Sequence, residues 1–287
     1  MSNDSLKNII GVALGVCLVC SILVSMAAVF LKPRQVANQR LEREKNILIA
    51  GDLIKEKEKV DAKKVFSIFS EKIQPALIEL KTGDLLSKEK MTGKLAPENF
   101  NIKKIYLDPE YGEDVPPDQY TASIKRVPTH MIIYFVKEGD EISRVIFPVY
   151  GSGLWSTLYG FLALDREFKT VKGFTIYDHG ETPGLGGEVD NPKWKASWRG
   201  KIAFDDAGEL QLEVLKGTAA PGSTTEIDGF SGATLTSRGV DDMIAFWFGP
   251  KKKDLEKLKD KPKDWAKGYY RPFMEKFKEK QEQGGQQ

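Results

Sequence analysis

A run of small and hydroxylated residues, Asp228-Gly229-Phe230-Ser231-Gly232-Ala233-Thr234, stands directly before an apolar segment of helical spacing that opens at Leu235-Thr236-Ser237. In such a place Ser231 or a threonine can cap the helix, and the unpaired N–H groups of its first turn suit a phosphate. Gly232 and Ala233 leave the backbone unshielded, so a bulky group can reach the Thr234 hydroxyl. The plain alternative is a tight turn and a helix cap without a ligand, and Ser-Gly-Ala-Thr alone does not decide between the two. Two glycine-rich segments precede it: Gly151-Ser152-Gly153-Leu154-Trp155 and His179-Gly180-Glu181-Thr182-Pro183-Gly184-Leu185-Gly186-Gly187. Glycines there let backbone amides approach the polar edge of a ligand, while Leu and Trp offer apolar surface to a ring.

The three segments, in this order, resemble the signature of one family of membrane flavoproteins. The first is similar to the flavinylation motif Asp-x-x-Ser/Thr-Gly-Ala-Thr/Ser. The others resemble the Gly-x-Gly-Leu-Trp turn and the Glu-Thr-Pro-Gly-Leu-Gly loop of the same covalent FMN-binding domain. That domain is shared by the NqrC subunits of the sodium-translocating NADH:quinone oxidoreductases and the related flavinylated subunits of the Rnf complexes. The longer form of the motif, Ser-Gly-Ala-Thr-Leu-Thr-Ser, and the His-Gly-Glu-Thr-Pro-Gly-Leu-Gly-Gly-Glu loop are closer to the former. The resemblance implies one FMN, joined through its phosphate to the hydroxyl of Thr234 by a dedicated flavin transferase. Asp228, Ser231, Gly232 and Ala233 match the fixed positions of the motif, with Leu235 and Thr236 beside the acceptor. Glu181, Thr182, Leu185, Gly186, Gly153, Leu154 and Trp155 are implied cofactor contacts from the two loops. It further implies an electron relay within a multi-subunit membrane enzyme that oxidises NADH, reduces ubiquinone and exports sodium ions. The chain is not expected to be active alone, and no residue is assigned as a general acid or base.

A histidine beside such a loop can tune a flavin, but His179, like His130, is more simply read as making an ordinary hydrogen bond. Of the nearby acids Asp178 and Glu181, Glu181 is the better functional candidate because it opens the matched loop. Cys17 and Cys20 form a C-x-x-C pair inside an apolar run, with no second pair and no nearby histidine, so no metal site is expected. The rest of the chain has no cysteine, which excludes an iron–sulfur cluster there.

The elements that must position these residues follow from pattern. Ile9 to Leu31 carries no charge and as a helix would be about 34 Å long, enough to cross a bilayer. An uncleaved anchor fits better than a cleaved signal, although Ser25-Met26-Ala27 resembles a cleavage site. Lys32, Arg34 and Arg40 after the span would put the downstream side in the cytoplasm by a bare charge count, a rule that weakens before a long domain. The family places its flavin domain away from the cytoplasm, hence on the periplasmic side of a bacterial inner membrane. Gln35 to Ile54 reads as an amphipathic helix, Lys55 to Lys64 as a solvated charge run, and Val65 to Leu80 as an apolar segment broken by Pro75. Residues 81 to 120 are polar and punctuated by Pro97, Pro109, Pro116 and Pro117.

Strands are predicted at Met131–Val136, Arg144–Tyr150, Tyr159–Asp165 and Val171–Tyr177, with further ones at Lys201–Phe204 and Leu210–Leu215. Helices are predicted at Pro192–Arg199 and from about Leu235 to Phe248, the latter stopped by Gly249-Pro250. The fold class is α+β: one N-terminal transmembrane helix, then a flavin domain with a twisted, mostly antiparallel sheet and flanking helices. The organisation is an anchor at 1–34, a membrane-proximal region at 35–129, the FMN-binding domain at 130–250 and a charged extension at 251–287. In that extension Trp265, Tyr269 and Tyr270 match no motif.

Composition agrees with a folded domain: of 287 residues, 41% are apolar and 29% charged. With 43 basic against 41 acidic side chains, no basic field points to nucleic acid. No dinucleotide fingerprint is present, which argues against a free-standing flavin reductase with its own NADH site. A structural membrane protein whose loops are merely turns is the other competing reading.

Overall fold

The computed structural model describes residues 6–116, 122–251, 254 and 268–284. The chain divides into two compact units, Met1–Arg43 and Glu44–Gln287. The described residues of the first lie within helix α1 (Leu6–Ala50), which continues as one element through Pro33. Residues Ile9 to Leu31 are exposed all round, and α1 is by length and composition able to cross a membrane. Cys17 and Cys20 are both exposed there and unbridged.

The second unit is built on a five-stranded antiparallel sheet in the order β1-β4-β5-β6-β7. β4 (His130–Glu138), β5 (Glu141–Ser152), β6 (Thr157–Asp165) and β7 (Val171–Asp178) form a meander where the β-rich runs between turn signals predict it. β1 (Ile73–Glu79) corrects the expectation for Val65–Leu80. That segment is helix α2 (Ala62–Lys72), capped by Asp61 on the N–H of Lys64, followed directly by a strand paired with β4. Pro75 is tolerated because β1 is an edge strand, where a missing N–H breaks no interior ladder. The sheet of the second unit therefore begins before residue 130.

Alternation along β5 assigns the two faces. Helix α5 (Thr234–Phe248) and helix α4 (Pro192–Ser197) pack on the face carrying Phe147 and Gly151, with Trp198 at the end of α4 stacked on Phe174 at 3.9 Å between ring centres. Residues 44–54 and α2 cover the other, through Ile47, Leu48, Ala50 and the contact of Phe69 with Tyr134. Between β1 and β4 lie short elements, α3 (Ile102–Ile105) and the β2 (Gly112–Asp114)–β3 (Arg126–Pro128) hairpin.

The strands expected at 201–204 and 210–215 shrink to isolated bridges, Thr170–Ile202 and Phe204–Leu210, and to β8 (Glu213–Val214) paired parallel with β9 (Glu226–Ile227). The Asp205 carboxylate accepts from Glu209 N–H and the Gln211 side chain at 2.8 Å each, bending the chain into a turn instead of a ladder. The charged extension at 251–287 also supplies part of the core, through its described residues 268–284. Tyr270 is fully buried, and helix α6 (Arg271–Gly284) inserts Phe273 and Phe277 against Phe135, Phe147 and Phe168. The spacing of Tyr270, Phe273 and Phe277 puts one apolar face on a helix whose other residues are mostly charged. Trp265 lies outside the described residues.

Candidate functional site

Three segments distant in sequence meet at one end of the sheet: the β5–β6 turn, the loop after β7, and the N-terminus of α5. Thr234 is the first residue of α5, and its side chain is exposed. The expected capping by Ser231 or a threonine does not occur. Ala233 takes the cap position and no side chain bonds to the first turn. Among the described residues the N–H groups of Thr234, Leu235 and Thr236 have no acceptor. A helix start left open in this way carries partial positive charge and free donors, which an anionic oxygen can satisfy.

The loop before Thr234 is held from within. The hydroxyl of Ser237, fully buried, accepts from Phe230 N–H at 2.8 Å and donates to the Ala233 carbonyl at 3.2 Å. Phe230 packs on Trp194 at 4.6 Å, and the Trp194 indole N–H donates to the Asp228 carbonyl at 2.7 Å. The Asp228 carboxylate accepts from Ala219 N–H at 2.7 Å. Asp228 thus shapes the loop, while Ser231 and Gly232 stay exposed at its tip. Ser237 and Trp194 carry no signal that sequence reasoning could weigh, since their partners are chosen by packing.

Glu181 and Thr236 are placed differently from the exposed Thr234, because both are buried. The Glu181 carboxylate accepts from the N–H groups of Leu154, Trp155 and Ser156 at 3.1, 2.9 and 3.1 Å, and from the Thr236 hydroxyl at 2.7 Å. Glu181 therefore joins all three segments. Gly153 and Gly186 lie against this carboxylate: a Cβ on either would come within 2.5 or 2.6 Å of a Glu181 oxygen. Their small size makes room for Glu181. His179 completes the frame as an ordinary loop residue. Its Nδ1 accepts from Glu181 N–H at 3.1 Å, which leaves Nε2 as the donor to Asp190 at 2.8 Å.

Burial pushes the Glu181 carboxyl up, but the hydrogen bonds from Thr236, Trp155, Leu154 and Ser156 outweigh it and hold its pKa below the ordinary 4.5. A group with a depressed folded pKa contributes stability that is complete above its unfolded value and lost as pH falls through the folded one. The thermal midpoint is expected to fall more steeply below pH 4.5 in the parent than in Glu181→Gln. Parallel acid slopes for the two chains would refute this.

The remaining expected contacts are exposed. Leu154, Trp155, Leu185 and Leu235 are 45, 72, 45 and 53% accessible, and Thr182 lies in the tight turn whose carbonyl accepts from Leu185 and Gly187. Large apolar side chains presented to solvent around an open helix start are the informative exception to burial, and they suit a planar ring attached to a phosphate.

Comparison with known proteins agrees with this geometry. Residues 153–249 match the family described as FMN-binding domain. The NqrC protein of the Na(+)-translocating NADH-quinone reductase of Vibrio campbellii is 44% identical over 251 residues, spanning 86% of this chain and 92% of that protein. The chain belongs to the NqrC family. Its counterpart from Pseudomonas aeruginosa is 41% identical over 251 residues, with 86% and 93% of the two chains covered. The crystal structure of Shewanella oneidensis NqrC shares 31% identity with a TM-score of 0.69, over 85% of this chain and 99% of that one. The FMN-binding match opens at Gly153, inside the β5–β6 turn, and closes at Gly249, where α5 ends, so it contains all three segments of the site.

An FMN fits the residues present. The uncapped start of α5 offers donors for its phosphate, Thr234 an accessible oxygen for attachment, and the exposed Leu and Trp side chains apolar surface for the ring.

Proposed function

We propose that this chain is the membrane-anchored electron-relay subunit of a complex that oxidises NADH, reduces ubiquinone and exports sodium ions. It carries one FMN as a phosphoester of Thr234, attached by a flavin transferase, in a domain on the periplasmic side of a bacterial inner membrane. The reading is carried by one observation: an exposed hydroxyl at the uncapped start of α5, inside a domain of FMN-binding type. The names of the relatives favour the quinone reductase over an Rnf complex.

FMN, when bound, supplies one- and two-electron redox chemistry. The protein supplies the rest. The first turn of α5 receives the phosphate, Leu154, Trp155, Leu185 and Leu235 present apolar surface to the ring, and Glu181 keeps the three segments in register. A covalent tether suits a site this exposed, because a ring without a deep pocket would otherwise dissociate between transfers. Sodium passage belongs to other members of the complex, since the apolar run Ile9 to Leu31 of the one candidate membrane helix among the described residues carries no ionisable group apart from its two cysteines.

The test is the intact mass of the full chain expressed with and without a flavin transferase in the same compartment. A gain of one FMN less one water, dependent on the transferase, is expected. No gain beside an active transferase would remove the relay reading and favour a purely structural role.

A further inference from the structure

Thr234 and Thr236 are two hydroxyls in one helical turn, and the protein treats them oppositely. Thr234 is exposed and its hydroxyl makes no bond among the described residues. Thr236 is fully buried and donates to Glu181 at 2.7 Å. Glu181 is 5% exposed, and its two oxygens accept from consecutive N–H groups of the β5–β6 turn as well. No cation bonds to this carboxylate among the described residues, so neutral dipoles alone hold the buried anion in place. Such an arrangement requires every donor to stay put, because a buried charge that loses one partner is costly. His179 restrains Glu181 from behind through its main-chain N–H.

We propose that Glu181 is the positioning residue for flavin attachment: by gripping Thr236 and the Leu154–Ser156 amides it withholds the wrong hydroxyl and fixes the orientation of Thr234. The inference rests on the attachment reading above. In that reaction the Thr234 oxygen forms a bond to the phosphorus on the FMN side of FAD, and the bond from that phosphorus to the bridging oxygen breaks. AMP leaves with the bridging oxygen, the hydroxyl proton passes to solvent, and nothing is oxidised or reduced. Glu181 touches none of the reacting atoms. It acts through the first turn of α5, where a small misplacement of the attacking oxygen weakens an in-line attack.

The experiment uses full-length chain made without transferase, solubilised in detergent and mixed with purified transferase and FAD. Intact mass against time gives the rate and the final extent of modification, and peptide mapping gives the site. Glu181→Gln and Thr236→Val are each expected to slow attachment by roughly tenfold or more at saturating FAD, with the final extent preserved. Thr236→Ser, which keeps the donor to Glu181, is expected to recover most of the parent rate. A merely structural defect would lower the final extent through loss of folded chain and leave the rate of the folded fraction at the parent value. The Thr236 pair leaves the carboxylate on its three amides, so it decides the matter even if Glu181→Gln does not fold.

Parent rates in both Glu181→Gln and Thr236→Val, or equal slowing in Thr236→Val and Thr236→Ser, would overturn the inference while leaving the flavin reading intact. A parent chain that stays unmodified beside an active transferase would overturn the flavin reading, and the inference with it.

Discussion

Thr234→Ala is expected to leave the chain folded and abolish covalent flavin. The Thr234 side chain is exposed at the first position of α5 and makes no hydrogen bond among the described residues. Alanine is at home in a helix, so the change in stability should stay within about 0.5 kcal/mol, as for most surface substitutions. The chemical effect is all or none, because the substitution removes the attacking oxygen. Intact mass after expression with the transferase should show one FMN less one water in the parent and no adduct in the variant. Thr234→Ser should restore the adduct. An adduct that persists in Thr234→Ala would assign the acceptor elsewhere, with Thr236 the next candidate. That hydroxyl would first have to leave both its burial and Glu181.

The largest expected effect on stability comes from the other end of the chain. Deleting residues 268–287 is expected to prevent the flavin domain from folding, although much of that segment reads as charged and solvated. Tyr270 and Phe273 are 0 and 1% exposed, Met274 3% and Phe277 9%. The ring of Tyr270 lies 4.8 Å from that of Phe147, and its hydroxyl donates to the Pro148 carbonyl in β5. Phe273 meets Phe135, Phe147, Phe168 and Phe277, so its loss opens a cavity in the middle of the sheet face. Phe273→Ala alone should cost about 3–5 kcal/mol, measured by denaturant unfolding, against a total stability of about 5–15 kcal/mol for a domain. The deletion removes several such side chains together. A shortened chain that melts cooperatively near the parent temperature would show that α6 is an accessory and not part of the core.

The two results bear on function differently. Thr234 lies at the open end of α5, and α6 packs on the same face of β5 some distance along the strand. A variant that lacks α6 would lose flavin because it does not fold, with no change at the acceptor. Unfolding data on every unmodified variant therefore separate loss of chemistry from loss of structure.

Several features of this protein were legible in the sequence because they are written locally. The uncharged run from Ile9 to Leu31, the β-rich runs between turn signals that build the β4–β7 meander, and the Gly249-Pro250 stop after α5 each depend on neighbours a few residues apart. So does the small-residue run before Thr234, whose position at the start of a helix follows from its own composition. The tertiary structure decided what these pieces do to one another. Nothing near Glu181 announces that its carboxylate will reach Thr236, 55 residues away, or that Gly153 and Gly186 are small on its account. Pro75 reads as a breaker until β1 is seen at the sheet edge, and Tyr270 reads as part of a polar tail until its hydroxyl meets Pro148, 122 residues earlier. The physical reason is common to all of them. Backbone periodicity and turn chemistry act within one element, whereas a buried hydrogen bond or a packed ring takes whichever partner the assembled layers bring beside it.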